Sequence, residues 1–310
     1  MSGPESVDTH VDLAGMALRN PVLTASGTFG YGTEFSPFLD LRRIGAFVAK
    51  SLTLEPRFGN PPPRIAEAPS AMLNAISLEN VGVEAFIREK LPALPEGVPV
   101  VASLFETEID RYAEVAKRLT GVPRVAGLEV NASCPHVKSG GIEFGQDPTV
   151  LAQLVRAVRQ ATPAPLLIKL SPNVTSIAEM ARVCEGEGAD GISLINAVQA
   201  LEVDVERRRP VLSNVLGGLS GPAIRPIALR MVYQASQAVS IPLCGIGGIT
   251  DADDAVKFLL CGASAVQVGT GNYLNPGLAG EVADGIAAYA VRHGFARVSE
   301  LVGALEVSPR

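Results

Sequence analysis

The residues best suited to chemistry are Asn131 and Cys134, which follow directly on an apolar run. Residues 125–130 predict a short buried strand, and the proline and glycines after Cys134 cannot continue it. In a parallel α/β protein, catalytic groups collect where strands end. A thiol can act as a base there, because a positive environment lowers its pKa from about 8.5. Free cysteines more often pack as small buried hydrophobes, but the polar neighbours of Cys134 favour a catalytic role.

The other three cysteines, Cys184, Cys244 and Cys261, are scattered singly along the chain. They form no Cys-x-x-Cys pair and no Cys/His cluster with the spacing of a zinc or iron–sulfur site. Because two lie in predicted helical segments and one in a predicted buried strand, we expect all three to be buried packing residues. The sequence therefore predicts no metal site and no cluster in this chain.

Further polar residues stand at predicted strand ends, namely Ser26, Lys50, Lys169 and Asn196, and Asn74 lies in a long loop. Amides both donate and accept hydrogen bonds, so they suit a planar polar ligand such as a pyrimidine or a flavin ring. A lysine at a strand end is either solvated or an anion ligand. No Asp/Glu pair indicates glycoside or metal chemistry, and no Ser/His/Asp set indicates acyl transfer.

Glycine-rich turns follow the last two predicted strands, at Gly247-Gly248 and at residues 269–271, and each leads into a helix. Such turns let backbone N–H groups approach an anion at a helix N-terminus. One glycine turn alone is weak evidence, because any tight turn of this kind needs glycine. Two in neighbouring strands indicate a phosphorylated substrate or a phosphate-bearing cofactor such as FMN.

These elements fit a repeated strand–helix alternation without an internal linker. Strands are predicted over residues 21–25, 45–49, 98–103, 125–130, 165–170, 191–195, 242–246 and 263–268. Helices are predicted over about residues 82–92, 108–119, 148–161, 177–187 and up to 239, then from 251 and from 276. This pattern is typical of a (β/α)8 TIM barrel, which takes about 250 residues. A doubly wound sheet is the alternative.

The predicted barrel is one domain, residues 1–310, with two additions. A short strand pair lies around residues 9–19, and long loops at the active face cover residues 55–80 and 197–221. Loops of this length in a compact domain are usually functional or disordered, and their mixed composition favours function.

The composition narrows the class of protein. Hydrophobic residues make up 47% and charged residues 19%, with a net charge of −6, so we expect a globular protein without a nucleic-acid role. The N-terminus lacks the features of a signal peptide, and no apolar run reaches the roughly 18 residues of a membrane span. We expect no membrane association and a cytoplasmic location.

Motifs spread over nearly the whole chain carry a resemblance to a known family. They are Lys50-Ser51 with Thr53-Leu54, Gly59-Asn60-Pro61 with Pro63-Arg64, Met72-Leu-Asn-Ala-Ile76, Asn131-x-Ser-Cys-Pro135, Lys169-Leu-Ser-Pro-Asn173, the run 217–223 and the run 245–249. Together they resemble class 1 dihydroorotate dehydrogenase, the FMN enzyme of pyrimidine biosynthesis. The cysteine at position 134 resembles the catalytic residue of class 1 enzymes. The runs 72–76 and 137–141 resemble those of subclass B, which is the catalytic subunit of an NAD-linked heterotetramer.

The resemblance implies roles for individual residues. FMN would be held by Ser26, Lys50, Ser51, Ser103, Asn131, Lys169, Ile195, Gly221, Gly247, Gly248, Gly269 and Thr270. Dihydroorotate would be held by Lys50, Asn74, Ala75, Ile76, Ser77, Leu78, Asn131, His136, Asn196 and Ala197, with Cys134 as the general base. Three of these depart from the family pattern: His136 and Ser103 replace asparagines, and Ala197 replaces a threonine and loses a hydrogen bond.

The resemblance also implies partners. The chain shows no second dinucleotide fingerprint, so electrons would reach NAD through a subunit carrying FAD and a [2Fe–2S] cluster, docked on a homodimer of this chain. The alternatives are a fumarate-linked enzyme similar to subclass A, a dihydropyrimidine-type reductase, and a non-catalytic barrel that binds a phosphate-bearing ligand.

Overall fold

The computed structural model describes residues 7–133 and 144–307, and eight parallel strands in it form one sheet. They are β1 (Val22–Thr24), β2 (Phe47–Val48), β3 (Val100–Leu104), β4 (Val125–Asn131), β5 (Leu166–Leu170), β6 (Gly191–Leu194), β7 (Leu243–Ile246) and β8 (Ala265–Val268). The spatial order runs from β1 through β8, β7, β6, β5, β4 and β3 to β2. A parallel bridge between Leu23 and Ala46 joins the two ends. The predicted (β/α)8 barrel is confirmed.

Helices follow most of the strands and pack against the outside of the sheet. They are α1 (Ile109–Leu119), α2 (Pro148–Ala161), α3 (Ile177–Gly186), α4 (Arg225–Ser236), α5 (Ala252–Leu260), the short α6 (Gly271–Leu274) and α7 (Leu278–Arg292). Asp147 caps α2 by accepting from the N–H groups of Thr149 and Val150, and Asp251 caps α5. Short 3-10 helices are Thr33–Phe35, Leu41–Arg43, Phe144–Gln146, Pro222–Ile224 and Val298–Leu301.

The helix predicted over residues 82–92 differs from the prediction. Its α-helical part is only Val83–Ala85, and it continues as the π-helix Phe86–Lys90. The apolar spacing locates the segment correctly, because Val83 and Phe86 are buried in the core, but it does not distinguish the wider turn.

The two long predicted loops contain regular structure, which corrects the prediction for residues 55–80 and 197–221. Four antiparallel strands, which we call the cover sheet, lie in the spatial order Val198–Ala200, Gly217–Ser220, Ala71–Asn74 and Ile65–Ala68. Asn74 is paired with Gly218, and Val198 with Leu219. A smaller antiparallel pair joins Val203–Asp204 to Arg209–Pro210.

The predicted N-terminal strand pair is confirmed as Val11–Leu13 and Met16–Leu18. Its buried side chains pack against the barrel interior in one cluster with Leu23, Val48, Val101, Leu167, Cys244 and Ala265. The contact is close, because a Cβ at Gly127 would lie 2.6 Å from the Met16 sulfur. The hairpin therefore closes the amino end of the barrel.

Cys184 and Cys244 are fully buried, as predicted, and Cys261 is half-buried just after α5. Burial raises the pKa of the Cys184 thiol. Over the described ranges, no helix is long and apolar enough to cross a membrane.

Candidate active site

A cavity of about 510 Å³ lies at the carboxyl end of the barrel strands, below the cover sheet. The predicted residues that line it are Ser26, Lys50, Ser51, Asn74, Ala75, Ile76, Ser77, Leu78, Asn131, Lys169, Ile195, Asn196, Ala197, Gly221, Gly247, Gly248, Gly269 and Thr270. Cys134 and His136 lie outside the described residues. The strand ends and the cover sheet together bring these eighteen predicted residues to one cavity.

Two lysines supply positive charge to the cavity wall. Lys169, the fourth residue of β5, is 5% exposed, and its Nζ lies 3.4 Å from the Ser26 hydroxyl, with no carboxylate of a described residue at ion-pair distance. Burial lowers the pKa of Lys50, although the charge of Glu79 opposes that shift. Cations with so little compensation within the protein suit an anionic or electron-rich ligand.

An amide pair occupies the ends of β4 and β6. The Asn196 Nδ2 donates to the Asn131 Oδ1 at 3.0 Å, and the same oxygen accepts from the Ser133 N–H at 3.1 Å. The Asn196 Oδ1 accepts from the Ala197 N–H at 2.8 Å. These bonds fix both amide planes, and among the described residues none uses the Asn131 Nδ2. That nitrogen is available as a donor to a ligand.

Ser103 is the predicted cofactor residue that does not line the cavity. It is fully buried on β3, and its hydroxyl lies 2.8 Å from the hydroxyl of Ser51, which does line the cavity. A serine is too short to reach past Ser51, so its contact with the cavity is indirect. Because serine replaces the asparagine of the family pattern here, Ser103 holds the Ser51 hydroxyl and does not reach the cavity itself.

Glycine loops after β7 and β8 form a cradle with Gly221. Gly221, Gly247 and Gly248 have φ angles of 99°, 127° and 76°, which favour glycine. A Cβ at Gly248 would lie 2.9 Å from the Gly221 carbonyl oxygen, so two loops meet backbone to backbone. The N–H groups of Gly248 and Thr270 have no hydrogen-bond acceptor among the described residues. Free N–H groups of this kind bind phosphate.

Asp254 holds the glycine loop after β7 in place through hydrogen bonds on the side away from the cavity. Its carboxylate accepts from the Thr250 hydroxyl at 2.8 Å, from Lys257 at 2.9 Å and from Arg225, which opens α4. Burial raises the pKa of Asp254, but the hydrogen bonds from Lys257 and Thr250 and the charge of Arg225 outweigh it, so the pKa lies below its usual range. Asp254 thereby ties the loop after β7 to the start of α4.

The segment 74–78 forms the opposite wall and is held by its own polar contacts. The Asn74 Nδ2 donates to the Gly218 carbonyl at 3.4 Å, and the Asn60 side chain donates to the Ala75 carbonyl at 2.8 Å. Beyond it, the buried Asn80 accepts from the Gly82 N–H and donates to the Leu78 carbonyl. The segment is therefore fixed at both ends.

Glu106, just after β3, anchors the chain that leads to this wall. It is fully buried and accepts from Arg111 at 3.0 and 3.1 Å, from Arg57 at 3.2 Å and from the Leu54 N–H at 2.9 Å. A buried carboxylate with two arginines and a backbone donor is fully paired.

Sequence reasoning missed several lining residues: Thr28, Asn60, Met72, Phe105, Thr107, Ser133, Asn214, Leu216, Ser220, Ile246, Ile249 and Tyr273. Phe105 and Thr107 follow β3, and Tyr273 follows the glycine loop after β8, so the strand-end rule could have found them. Asn214 and Leu216 carry no such signal, because only the cover sheet brings them to the cavity.

A family model described as dihydroorotate dehydrogenase matches residues 9–289. A protein of Pelobacter propionicus is 58% identical over 300 residues, 96% of this chain and 99% of that protein. Relatives from Trichlorobacter lovleyi (57% over 297 residues, 96% and 98%) and Geobacter sulfurreducens (54% over 301 residues, 97% and 99%) are similar in extent. All three are named dihydroorotate dehydrogenase B (NAD(+)), catalytic subunit. The resemblance seen in the motifs is confirmed, and this chain belongs to the dihydroorotate dehydrogenase family.

Proposed function

We propose that this chain oxidises dihydroorotate to orotate, with FMN as the first electron acceptor, in pyrimidine biosynthesis. The observation that carries the proposal is the cavity itself, in which two poorly compensated lysines, a fixed amide pair and a glycine cradle share one space. The family match over most of the chain and the names of its relatives support the same reaction.

The residues present fit FMN. A cavity of about 510 Å³ is within the roughly 300–1,000 Å³ of small-molecule sites, and the Gly248 and Thr270 N–H groups beside it are available to a phosphate. We propose that FMN is held by Ser26, Lys50, Ser51, Asn131, Lys169, Ile195, Gly221, Gly247, Gly248, Gly269 and Thr270, with Ser103 acting through Ser51. When bound, FMN supplies the acceptor for the hydride that leaves C6 of the substrate.

We assign the substrate to the wall opposite the cradle. Residues 74–78 with Asn131 and Asn196 offer alternating donors and acceptors to a pyrimidine ring, and Lys50 offers a positive charge to its carboxylate. Ala197 lines the same wall but contributes no side-chain hydrogen bond. His136 remains a proposed substrate contact on the basis of the sequence.

Cys134 is the proposed general base, which takes the proton from substrate C5. It stands three residues after Asn131, and Asn131 is fixed at the cavity by Asn196 and, through its carbonyl, by the Tyr112 hydroxyl at 2.7 Å. A thiol needs a positive environment to ionise near neutral pH, and Lys50 and Lys169 supply positive charge to this cavity.

We further propose that electrons pass to NAD through a partner subunit with FAD and a [2Fe–2S] cluster, docked on a dimer of this chain in the cytoplasm. Support comes from the name of the relatives, which specifies NAD(+) and a catalytic subunit. The FMN-containing chain alone would then be reduced by dihydroorotate but would not reduce NAD.

The test is anaerobic reduction of the purified protein. We expect a yellow protein that bleaches with dihydroorotate and not with dihydrouracil, and that gains NAD reduction when co-expressed with the partner. Bleaching by dihydrouracil would indicate a dihydropyrimidine-type reductase, and bound flavin that neither compound bleaches would indicate a binding barrel. Rapid turnover of the isolated chain with fumarate, without gain from the partner, would indicate a subclass A-like enzyme.

A further inference from the structure

A buried carboxylate inside the barrel has no role in the function described so far. Glu129, on β4, is fully buried, and its Oε2 accepts from the Ser193 hydroxyl at 2.8 Å and from the Gln267 Nε2 at 2.6 Å. Its Oε1 is also buried and has no hydrogen-bond partner among the described residues. Leaving a carboxylate oxygen unpaired in the interior is costly, so this arrangement needs a compensating charge.

The strand register places that charge at Lys169. Lys169 on β5 lies between Asn131 of β4 and Ser193 of β6, its direct neighbours in the sheet. The Glu129 side chain reaches Ser193, so its carboxylate is at the level of Lys169, beneath the cavity. Both charges also act on one thiol: burial raises the pKa of Cys244, Glu129 raises it further and Lys169 lowers it.

Glu129 and Lys169 share this layer without a direct ion pair. Within the described part of the chain, no cation lies at ion-pair distance from Glu129, and Lys169 contacts the Ser26 hydroxyl. Lys169 therefore faces the cavity, with the Glu129 carboxyl group in the layer below it. In a low-dielectric interior, charges interact strongly without touching.

We propose that Glu129 is a positioning residue that acts through Lys169, offsetting its positive charge and so setting the reduction potential of the bound flavin. The inference rests on the proposed function, because it requires FMN beside Lys169. Reduction adds negative charge to the flavin, and Lys169 favours that charge. Glu129 opposes this effect and keeps the potential low enough for electrons to leave for the next acceptor.

The test is Glu129→Gln, which removes the charge and keeps the size. We expect the equilibrium between oxidised and reduced flavin to shift about tenfold toward the reduced form, a rise of about 30 mV for a two-electron couple. The measurement is an anaerobic redox titration against a reference dye, without turnover. Glu129→Asp retains the carboxyl group. The ratio of reduced to oxidised flavin in this variant should therefore stay within about threefold of the ratio in the parent protein.

Gln267→Lys provides a second route if Glu129→Gln does not fold. The new ammonium would pair with Glu129 and should raise the potential in the same direction. The matched control is Glu106→Gln, since Glu106 is equally buried but already paired with Arg57 and Arg111, and we expect an unchanged potential there.

An unchanged potential in both Glu129→Gln and Gln267→Lys would overturn the inference. Equal shifts in Glu129→Gln and Glu129→Asp would also overturn it, because they would indicate packing and not charge. Failure of the proposed function is distinguishable, because the parent protein would then bind no flavin or would not bleach with dihydroorotate.

Discussion

The floor and the cover of the cavity are built by different principles. The floor consists of barrel strand ends, where Asn131 and Lys169 belong to parallel strands that are bonded on both sides. The cover consists of antiparallel segments joined by contacts such as that between Asn74 and Gly218, which are 144 residues apart in the chain. The floor is part of the folding core, whereas the cover is a separate layer placed on it.

The difference suggests a division of labour between the two ligands. The lysine and the glycine cradle of the floor suit a tightly held cofactor, because their positions are fixed by the barrel. Asn74 and the residues after it suit a substrate that must arrive and leave in each turnover, and the amides of Asn131 and Asn196 meet that substrate from the floor. Variants of Lys169 or of the glycine cradle should therefore change flavin binding or potential, and variants of Asn74 should change substrate binding alone.

Cys134→Ser should have the largest effect on the reaction rate. It would show that the reaction can be lost while the floor and the cover both remain intact. We expect the rate of flavin reduction by dihydroorotate to fall about 10²–10⁴-fold at neutral pH, because a serine hydroxyl is much harder to ionise. Stopped-flow absorbance under anaerobic conditions measures this rate. Normal FMN content is expected, and an unchanged rate would contradict the role of Cys134 as base.

Lys169→Ala tests the floor. Loss of this buried charge should release FMN or, where FMN is retained, shift the flavin equilibrium about tenfold toward the oxidised form. Flavin content by absorbance and the potential by redox titration measure the two outcomes. A variant with normal content and normal potential would make Lys169 a mere strand-end lysine and would remove the distinction between floor and cover.

Asn74→Ala tests the cover. We expect the dissociation constant of dihydroorotate or orotate to rise about tenfold, the cost of about one lost hydrogen bond, with FMN content unchanged. Equilibrium titration of the flavin spectrum with orotate measures this. Gln199→Ala is the matched control, since Gln199 is an exposed amide of the cover sheet that does not line the cavity, and we expect an unchanged dissociation constant there. A loss of FMN in Asn74→Ala would show that the walls are not independent.

Asp254→Asn should have the smallest effect, on stability. The pKa of Asp254 is lowered in the folded protein, so its contribution to the free energy of unfolding is present above its unfolded value of 3.8 and is lost as pH falls through the lower folded value. We expect the variant to be about 1 kcal/mol less stable at pH 7. Urea unfolding at pH 7 and below pH 3.8 measures the difference, which should shrink in acid. A stability difference that is the same at both pH values would contradict a stabilising role for the Asp254 carboxylate.

The same contrast explains what could be predicted from the sequence. Asn131, Lys169 and Asn196 each lie where a buried strand pattern stops, and the parallel barrel brings strand ends together, so their convergence in the floor was predictable. The cover was not predictable as a sheet, because its strands are short, contain glycine and alanine, and pair across distant segments. The motifs identified residues 74–78 but not the strands that hold them.

Two smaller errors have local causes. The segment at residues 82–92 has apolar spacing that fits an α-helix, but a π-helix places Val83 and Phe86 in the core equally well. Ser103 occupies a strand-end position by sequence, but its short side chain stops at Ser51. In both cases, the sequence pattern predicts where the segment lies in the fold. The width of the helical turn or the length of the side chain then determines which atoms it contacts.

The hairpin of Val11–Leu13 and Met16–Leu18 has a kinetic consequence. It seals the amino end of the barrel with Leu13, Met16 and Leu18, so ligands exchange at the opposite mouth. Orotate must then leave along the path by which dihydroorotate arrives, and neither can pass the other. Product inhibition by orotate should accordingly be competitive with dihydroorotate, and the rate of each turnover is bounded by how fast that shared passage is vacated.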